Sequence, residues 1–302
     1  MLYNPNFLNN STILSNNQKE ELEFLASQFS LNDFINDGKL IDKISFDFIY
    51  SSAQIEGNSY TKADTLSLIE DGITANGKLY TDAKMIINLR NSFDEIMRNS
   101  MEANFNTLHF LHNIISQDLV LKQNEGAMRK GNITGITGTS YLPLPSGEKL
   151  REEVKILFLQ YKNLTNPFEK AIYLHNNLCY LQYFEDCNKR TARAMQFISL
   201  KSDNIMPLVI IDSKREDYSS YRSAIIDYYE TGNHTKYIEF FIKTYKKQME
   251  YLNEVNILNN KYINKTNVSI KDDENNVNDD DLGIDKIFKP RNLWIKSRNG
   301  RE

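Results

Sequence analysis

The sequence predicts an all-α fold, a bundle of helices interrupted by one short β-hairpin. Apolar residues recur every three or four positions over most of the chain, which is the spacing of amphipathic helices. Residues 121–147 differ, because five glycines, two prolines and several β-branched residues fall there, a composition typical of a hairpin. Helices are predicted at 17–29, 43–55, 62–70, 82–98, 107–119, 148–163, 167–183, 189–202, 215–230 and 235–254.

Capping residues mark the ends of several predicted helices. Thr61 and Asp64 have the capping-box spacing at the start of the third helix, and Thr81 is a candidate N-cap for the fourth. Gly57 follows the second helix, where glycine commonly ends a helix. These residues therefore support the predicted helix boundaries.

The composition argues against a membrane protein and against a general nucleic-acid-binding protein. The 302 residues have no stretch near the roughly 20 consecutive apolar residues that a membrane-spanning helix needs. The net charge of -4 disfavours nucleic acid, because neutralising phosphates requires a basic surface. The start shows no secretory signal, and two cysteines cannot build a disulfide framework. We therefore expect a cytoplasmic protein.

The pattern divides the chain into three parts. Residues 1–44 are predicted as an N-terminal helical extension, 45–255 as the main helical domain and 256–302 as a disordered tail. The tail is acidic at first and basic at its end, where aromatic residues are interleaved with lysine and arginine. A solvated tail and a segment that folds on a partner are both compatible with this pattern.

The window Leu181–Arg193 carries the residues that suggest chemistry. A helix beginning near Asn188 would direct free backbone N–H groups at an anion. Arg190 and Arg193 share a helix face, and Asp186 could hold Mg²⁺ that bridges phosphates. These are the parts of a nucleoside triphosphate site. The alternative is an N-capping Asp186 followed by two surface arginines.

This window resembles the signature of the Fic (Fido-fold) family, H-x-F-x-[DE]-G-N-G-R-x-x-R. A second stretch, Ser52–Gly57, resembles the inhibitory pattern [ST]-x-x-x-E-[GN] of the subclass that carries it before the Fic core. The residues that match the first signature in register are Phe184, Asp186, Asn188, Arg190 and Arg193.

The resemblance implies an α-helical bundle that transfers AMP from ATP-Mg²⁺ to a protein hydroxyl, called AMPylation. It implies that Asp186 holds the metal and acts in catalysis, and that the inhibitory helix 45–57 presents Glu56, flanked by Ser52 and Gly57, to Arg193. A homodimer is one alternative for the oligomeric state. The nucleotide-binding residues implied are Cys187, Asn188, Lys189, Arg190 and Arg193. The hairpin would be a flap where an unidentified target protein docks, through Ile133, Gly135, Ile136, Thr137 and Gly138.

Three positions depart from the family signature. Gln182 stands where the family has its catalytic histidine, and an amide cannot act as a general base, which costs roughly 10²–10⁴ in rate. Cys187 and Lys189 replace the two motif glycines, although Lys189 adds a positive charge. The sequence thus predicts a divergent protein adenylyltransferase with impaired catalysis. The alternatives are a pseudoenzyme that binds a nucleotide or protein, and a hydrolase that removes AMP using Glu56.

Other titratable residues have two interpretations each. His109 and His112 could share a metal, but core or rim positions are favoured for them. His175 could substitute for the missing base, but core packing is favoured. The helix start and nearby cations are expected to lower the pKa of Cys187, unless it is simply a small replacement for glycine. Cys179, on an apolar helix, is expected to be buried and inert.

Overall fold

The computed structural model describes residues 1–9 and 12–269, with side chains up to residue 257. Its elements are eleven α-helices within these residues and two 3-10 turns, Pro5–Asn9 and Lys122–Asn124. The helices are α1 (Asn16–Ala26), α2 (Leu31–Asn36), α3 (Gly38–Ile55), α4 (Lys62–Asp71), α5 (Tyr80–Arg98), α6 (Phe105–Ser116), α7 (Glu148–Asn163), α8 (Pro167–Leu181), α9 (Asn188–Ser202), α10 (Arg215–Thr231) and α11 (Thr235–Ser269).

Helices α8 and α9 form the centre of an all-α bundle. They pack against each other, and nearly all of their residues are buried, since other helices cover them on every side. Helices α7 and α10 pack on α8, α5 and α6 pack on α9, and α3 packs on both α5 and α10. The loop that joins α8 to α9 carries the candidate site. Among the described residues no helix has the length and apolarity needed to cross a membrane.

The predicted capping residues match the helix ends with one exception. Thr61 and Asp64 form the predicted capping box of α4. The prediction that Thr81 caps the next helix is wrong, because α5 already begins at Tyr80 and Leu79 is its N-cap. The short helix α2, capped by Ser30, was missed.

The segment predicted as a hairpin contains less β-structure than expected. One antiparallel bridge joins Ile136 to Thr139, across a turn in which Gly138 has a φ of 89°. Within the described residues this bridge does not extend into a ladder of several residue pairs. Leu142 instead pairs in parallel with Leu2, and its N–H donates to the Met1 carbonyl at 2.8 Å. Thr139 is held to α10 by a 2.8 Å hydrogen bond to Glu230.

The N-terminal residues lie along α8. The Asn4 N–H donates to the Tyr180 hydroxyl at 2.7 Å, and the Tyr3 ring stacks on Tyr180 with centroids 5.3 Å apart. The Tyr173 hydroxyl donates to the Leu8 carbonyl at 2.8 Å. Residues 1–8 are therefore packed against the bundle.

Two predicted boundaries differ from the structure. Helix α3 begins at Gly38, so it crosses the predicted boundary between residues 44 and 45. Helix α11 continues to Ser269, which corrects the prediction that order ends at residue 256. Leu252 is buried, and Val255 lines a cleft together with Phe29, so tertiary packing supports α11 up to residue 255. The acidic and basic runs of the tail after Ser269 lie outside the described residues.

Candidate active site

The loop from Gln182 to Cys187 is bounded by two left-handed residues. Gln182, directly after α8, has a φ of 46°, and Cys187, directly before α9, has a φ of 60°. Glycine adopts this region without strain, whereas side chains with a Cβ rarely do. The loop therefore keeps a backbone that suits glycine although it lacks glycine at these positions.

Asn188 holds this loop closed. Its Oδ1 accepts a hydrogen bond from the Phe184 N–H at 2.9 Å, and its Nδ2 donates to the Phe184 carbonyl at 2.9 Å. The same Nδ2 donates to Oε1 of Gln182 at 3.3 Å. Asn188 is thus a structural member of the loop as well as the first residue of α9.

Arg129 joins the loop to the segment predicted as a flap. It is almost fully buried, and its Nε donates to the Gln182 carbonyl at 2.7 Å. Its other nitrogens donate to the carbonyls of Gly131, at 2.9 Å, and Leu144. Arg129 was not predicted as a site residue, because nothing in its local sequence pattern distinguishes it from a surface arginine.

The guanidinium of Arg190 is buried and only partly paired. The side chain is 5% exposed, and Nη2 lies 3.3 Å from Oδ2 of Asp186. Its Nε and Nη1 have no hydrogen-bond partner among the described residues. Unpaired buried donors on a charged group are costly, so this position suits an anion. The Asp186 carboxylate is largely exposed and remains accessible to a cation.

The carboxylate of Glu56 lies at the N-terminal end of α9. Its Oε1 is 3.1 Å from Nη2 of Arg193, and its Oε2 is 3.1 Å from Nζ of Lys189. Burial alone would raise the pKa of Glu56, but Arg193, Lys189 and Arg190 together lower it to about 2. We call Glu56, Lys189 and Arg193 the Glu56 cluster.

Arg193 has further partners that fix its position. Its Nε donates to the Ser52 hydroxyl and its Nη2 to the Ser52 carbonyl, both at 3.1 Å. Its Nη1 donates to the Tyr221 hydroxyl at 3.1 Å. The expected ion pair between Glu56 and Arg193 is present. The contribution of Tyr221 was missed, since the apolar period of α10 indicates burial but no partner.

The side chain of Gln182 is engaged in the protein. Its Nε2 donates to the Cys179 carbonyl at 2.7 Å and to the Tyr229 hydroxyl at 3.2 Å. Its Oε1 accepts from Asn188. Gln182 therefore supports the loop and offers no group that takes up a proton at neutral pH.

His112 and His175 are core residues, whereas His109 is half-buried at the rim. His175 is fully buried and hydrogen-bonds to Asn176 and Tyr221, and burial lowers its pKa to about 3. His112 is buried and stacks on Phe184, with ring centroids 3.6 Å apart. Within the described part of the chain, no group of three or more metal-ligating side chains occurs.

The expectation of a reactive thiolate at Cys187 is wrong. The side chain is 1% exposed, and burial raises its pKa to about 12, which Arg190 offsets only in part. Its sulfur lies 4.0 Å from the Ile115 carbonyl of α6. Cys179 is buried with a pKa that burial likewise raises to about 12.

The predicted flap residues differ in exposure. Ile133 and Ile136 are half-buried, whereas Gly135, Thr137 and Gly138 are exposed. The exposed tip is connected to the site loop through Arg129 at its base.

Helices α6 to α9 carry a family signature. Residues 103–200 match the model described as the Fic/DOC family, and this span includes the site loop. A solved structure of Fic-1 from Caenorhabditis elegans is similar over 78% of this chain and 70% of that chain, with a TM-score of 0.64 and 17% identity. Residues 103–200 therefore form a Fic/DOC family domain, and the chain has the all-α fold of the solved Fic structures.

Two curated relatives carry a functional name. Protein adenylyltransferase Fic of Nematostella vectensis is 25% identical over 191 residues, which are 61% of this chain and 44% of the relative. Protein adenylyltransferase fic-1 of Caenorhabditis elegans is 23% identical over 194 residues, covering 60% and 37% respectively. The chain thus spans less than half the length of these relatives.

Proposed function

We propose that this protein is a divergent Fic adenylyltransferase that binds ATP with Mg²⁺ at the N-terminus of α9 and transfers AMP poorly. The observation that carries the proposal is the buried guanidinium of Arg190, which has two unpaired nitrogens beside a helix N-terminus. A phosphate would satisfy these donors with charge-assisted hydrogen bonds.

Asp186 suits a magnesium ion bound together with a nucleotide. Mg²⁺ is usually held by one or two carboxylates plus substrate phosphates, so a cluster of three protein ligands is not required. The Asp186 carboxylate is exposed, four residues before Arg190 on the same side of the loop. The ion would neutralise phosphate charge when bound.

The Glu56 cluster supports an inhibitory role for Glu56. Its carboxylate forms ion pairs with Arg193 and Lys189. These are the two cationic residues nearest to Arg190 in the sequence of α9. A phosphate group that approached these cations would meet a fixed negative charge. Release of Glu56 would therefore be a condition for full nucleotide binding.

Gln182 supports impaired transfer. A target hydroxyl that attacks the α-phosphate must lose its proton, and Gln182 has no basic nitrogen to accept it. The buried His175, which has a lowered pKa and is fully hydrogen-bonded, does not present a replacement. The protein substrate itself is unidentified, and the exposed tip of the flap is the surface we propose for its docking.

The two alternatives differ in what they require. A pseudoenzyme needs only the anion position and the flap, and it would bind ATP with no transfer at all. A hydrolase that uses Glu56 as its base needs a carboxylate with proton affinity, and a pKa of about 2 makes Glu56 a weak base in this arrangement. The ion pairs of Glu56 with Arg193 and Lys189 support the inhibitory role of Glu56 over the hydrolytic one.

Calorimetric titration with ATP and Mg²⁺ tests the proposal. Glu56→Gly should tighten ATP binding about tenfold, equivalent to ~1.4 kcal/mol. Arg190→Gln, made in the Glu56→Gly chain, should weaken binding by roughly 30-fold or more, because it removes the buried donor. Arg151→Gln, which removes an exposed arginine from α7, is the matched control and should change nothing.

Incubation of the unaltered protein with labelled ATP and a lysate then separates the alternatives. Weak labelling of a protein band supports the adenylyltransferase, and binding without labelling supports the pseudoenzyme. Unchanged affinity in both Glu56→Gly and the Arg190→Gln double variant would refute the nucleotide site.

A further inference from the structure

Helix α10 contacts the end of the helix that carries Glu56. The Nε of Arg222 donates to the Ile55 carbonyl at 2.9 Å, and its Nη2 donates to the Gln54 carbonyl at 3.2 Å. Glu56 is the next residue in the chain and the C-cap of α3. Arg222 therefore binds the backbone on the N-terminal side of Glu56 without touching its side chain.

These contacts supply hydrogen-bond donors to the carbonyls at the end of α3. The last four carbonyls of a helix have no intrahelical partner, and a cation near them is favoured by the helix dipole. The forked guanidinium of Arg222 binds two of them at once, the Ile55 carbonyl and the Gln54 carbonyl, which also accepts from the Gly57 N–H at 3.0 Å. Arg193 satisfies a third, the Ser52 carbonyl. Two arginines from different helices thus hold the last turn of α3.

Tyr221, the residue before Arg222, contacts Arg193, which is the ion-pair partner of Glu56. The Tyr221 hydroxyl accepts a hydrogen bond from Nη1 of Arg193. It also hydrogen-bonds to His175 at 2.9 Å, which anchors it in the core. Consecutive residues of α10 therefore hold Arg193 on one side and the backbone that presents Glu56 on the other.

We propose that Arg222 is a positioning residue for Glu56, and that α10 thereby sets how strongly Glu56 opposes nucleotide binding. The inference rests on the proposed function, since it names a regulator of the same site. Without Arg222, the last turn of α3 loses two backbone contacts and Glu56 samples positions away from Arg193. With Arg222 in place, the carboxylate stays where the phosphate must enter.

A double-mutant cycle tests this role. Arg222→Gln should tighten ATP binding about three- to tenfold when Glu56 is present, because the opposing carboxylate is less well placed. In the Glu56→Gly chain the same substitution should have no effect. Arg222→Lys, which keeps the positive charge but loses the guanidinium that donates to two carbonyls, should give a smaller change. Arg215→Gln, at the exposed start of α10, is the charge-matched control and should leave affinity unchanged.

A readout without nucleotide distinguishes the two proposals. In an NMR titration of the Glu56 carboxyl, Arg222→Gln should move its pKa upward from about 2 toward the ordinary glutamate value, since Arg193 pairs with it less. If this pKa rises but no variant binds ATP, the positioning role stands and the nucleotide site fails.

Two results would overturn the positioning role. One is an unchanged Glu56 pKa and unchanged ATP affinity in Arg222→Gln, while Glu56→Gly still tightens binding. The other is weaker ATP binding on adding Arg222→Gln to Glu56→Gly, which would make Arg222 a direct nucleotide contact.

Discussion

Lys189 Nζ lies 3.1 Å from Oε2 of Glu56, so this carboxylate is held by two cations and not by Arg193 alone. Lys189 occupies a position where the Fic signature has glycine, and the sequence suggested a phosphate-binding role for it. In the structure its charge is engaged by Glu56. Lys189 therefore adds a second cation to the pairing of Glu56.

The ion pairs of Glu56 make the stability of the protein depend on pH in a defined direction. The folded pKa of about 2 lies below the unfolded value of 4.5, so the stabilising contribution of Glu56 is complete above pH 4.5 and is lost as the pH falls toward 2. Glu56→Gln should lower the free energy of unfolding by about 1–3 kcal/mol at pH 7, and by much less at pH 3. Lys189→Gln, which removes a half-exposed partner, should cost about 0.5 kcal/mol. Urea unfolding across this range measures both. A pH-independent difference between Glu56→Gln and the unaltered chain would contradict the ion-pair account.

AMP transfer should be restored by returning the loop to the family signature. The variant combines Gln182→His, Cys187→Gly, Lys189→Gly and Glu56→Gly. It regains a general base and the two motif glycines, and it removes the carboxylate that pairs with Arg193. We expect label from α-phosphate-labelled ATP to be incorporated into the protein itself. The same variant without Gln182→His is the control and should incorporate roughly 10²–10⁴ times more slowly. If the full variant binds ATP but stays unlabelled, Gln182 does not occupy the position of the catalytic base.

Substitutions at Cys187 should separate backbone strain from side-chain burial. Its φ of 60° costs about 1 kcal/mol or more for any residue with a Cβ, whereas its buried sulfur contributes a similar amount. Cys187→Gly loses the burial and relieves the strain, so the free energy of unfolding should change by less than about 0.5 kcal/mol. Cys187→Ala loses burial and keeps the strain, so it should cost about 1 kcal/mol more than Cys187→Gly. Urea unfolding decides the order, and a more stable alanine variant would show that no strain is present.

Neither cysteine should react readily in the folded protein. Burial raises the pKa of both Cys179 and Cys187 to about 12, so the thiolate is scarce at neutral pH and reagents lack access. We expect iodoacetamide at pH 7.5 to modify both slowly and at similar rates, and to modify both quickly in urea. Mass spectrometry of each cysteine peptide measures this. Fast modification of Cys187 alone in the folded protein would show that its side chain is accessible.

The sequence predicted the bundle well, because burial of one helix face imposes a periodic pattern that can be detected locally. Both halves of the Glu56–Arg193 pair were identified from two short motifs, although 137 positions separate them. Arg129 and Arg222 could not be found in this way, since both bind backbone carbonyls that any residue could supply. The burial of Cys187 also escaped prediction, because it depends on a left-handed backbone that glycine would adopt more readily.

The N-terminal segment has a consequence for how the chain folds. Asn4 hydrogen-bonds to a partner 176 positions away, and Leu8 to one 165 positions away. Each such contact closes a very long loop, and its entropic cost must be met before the contact stabilises anything. Residues 1–8 can therefore attach only after α8 has been synthesised. Until then the Tyr180 ring lacks the cover that Tyr3 and Phe7 give it in the finished protein.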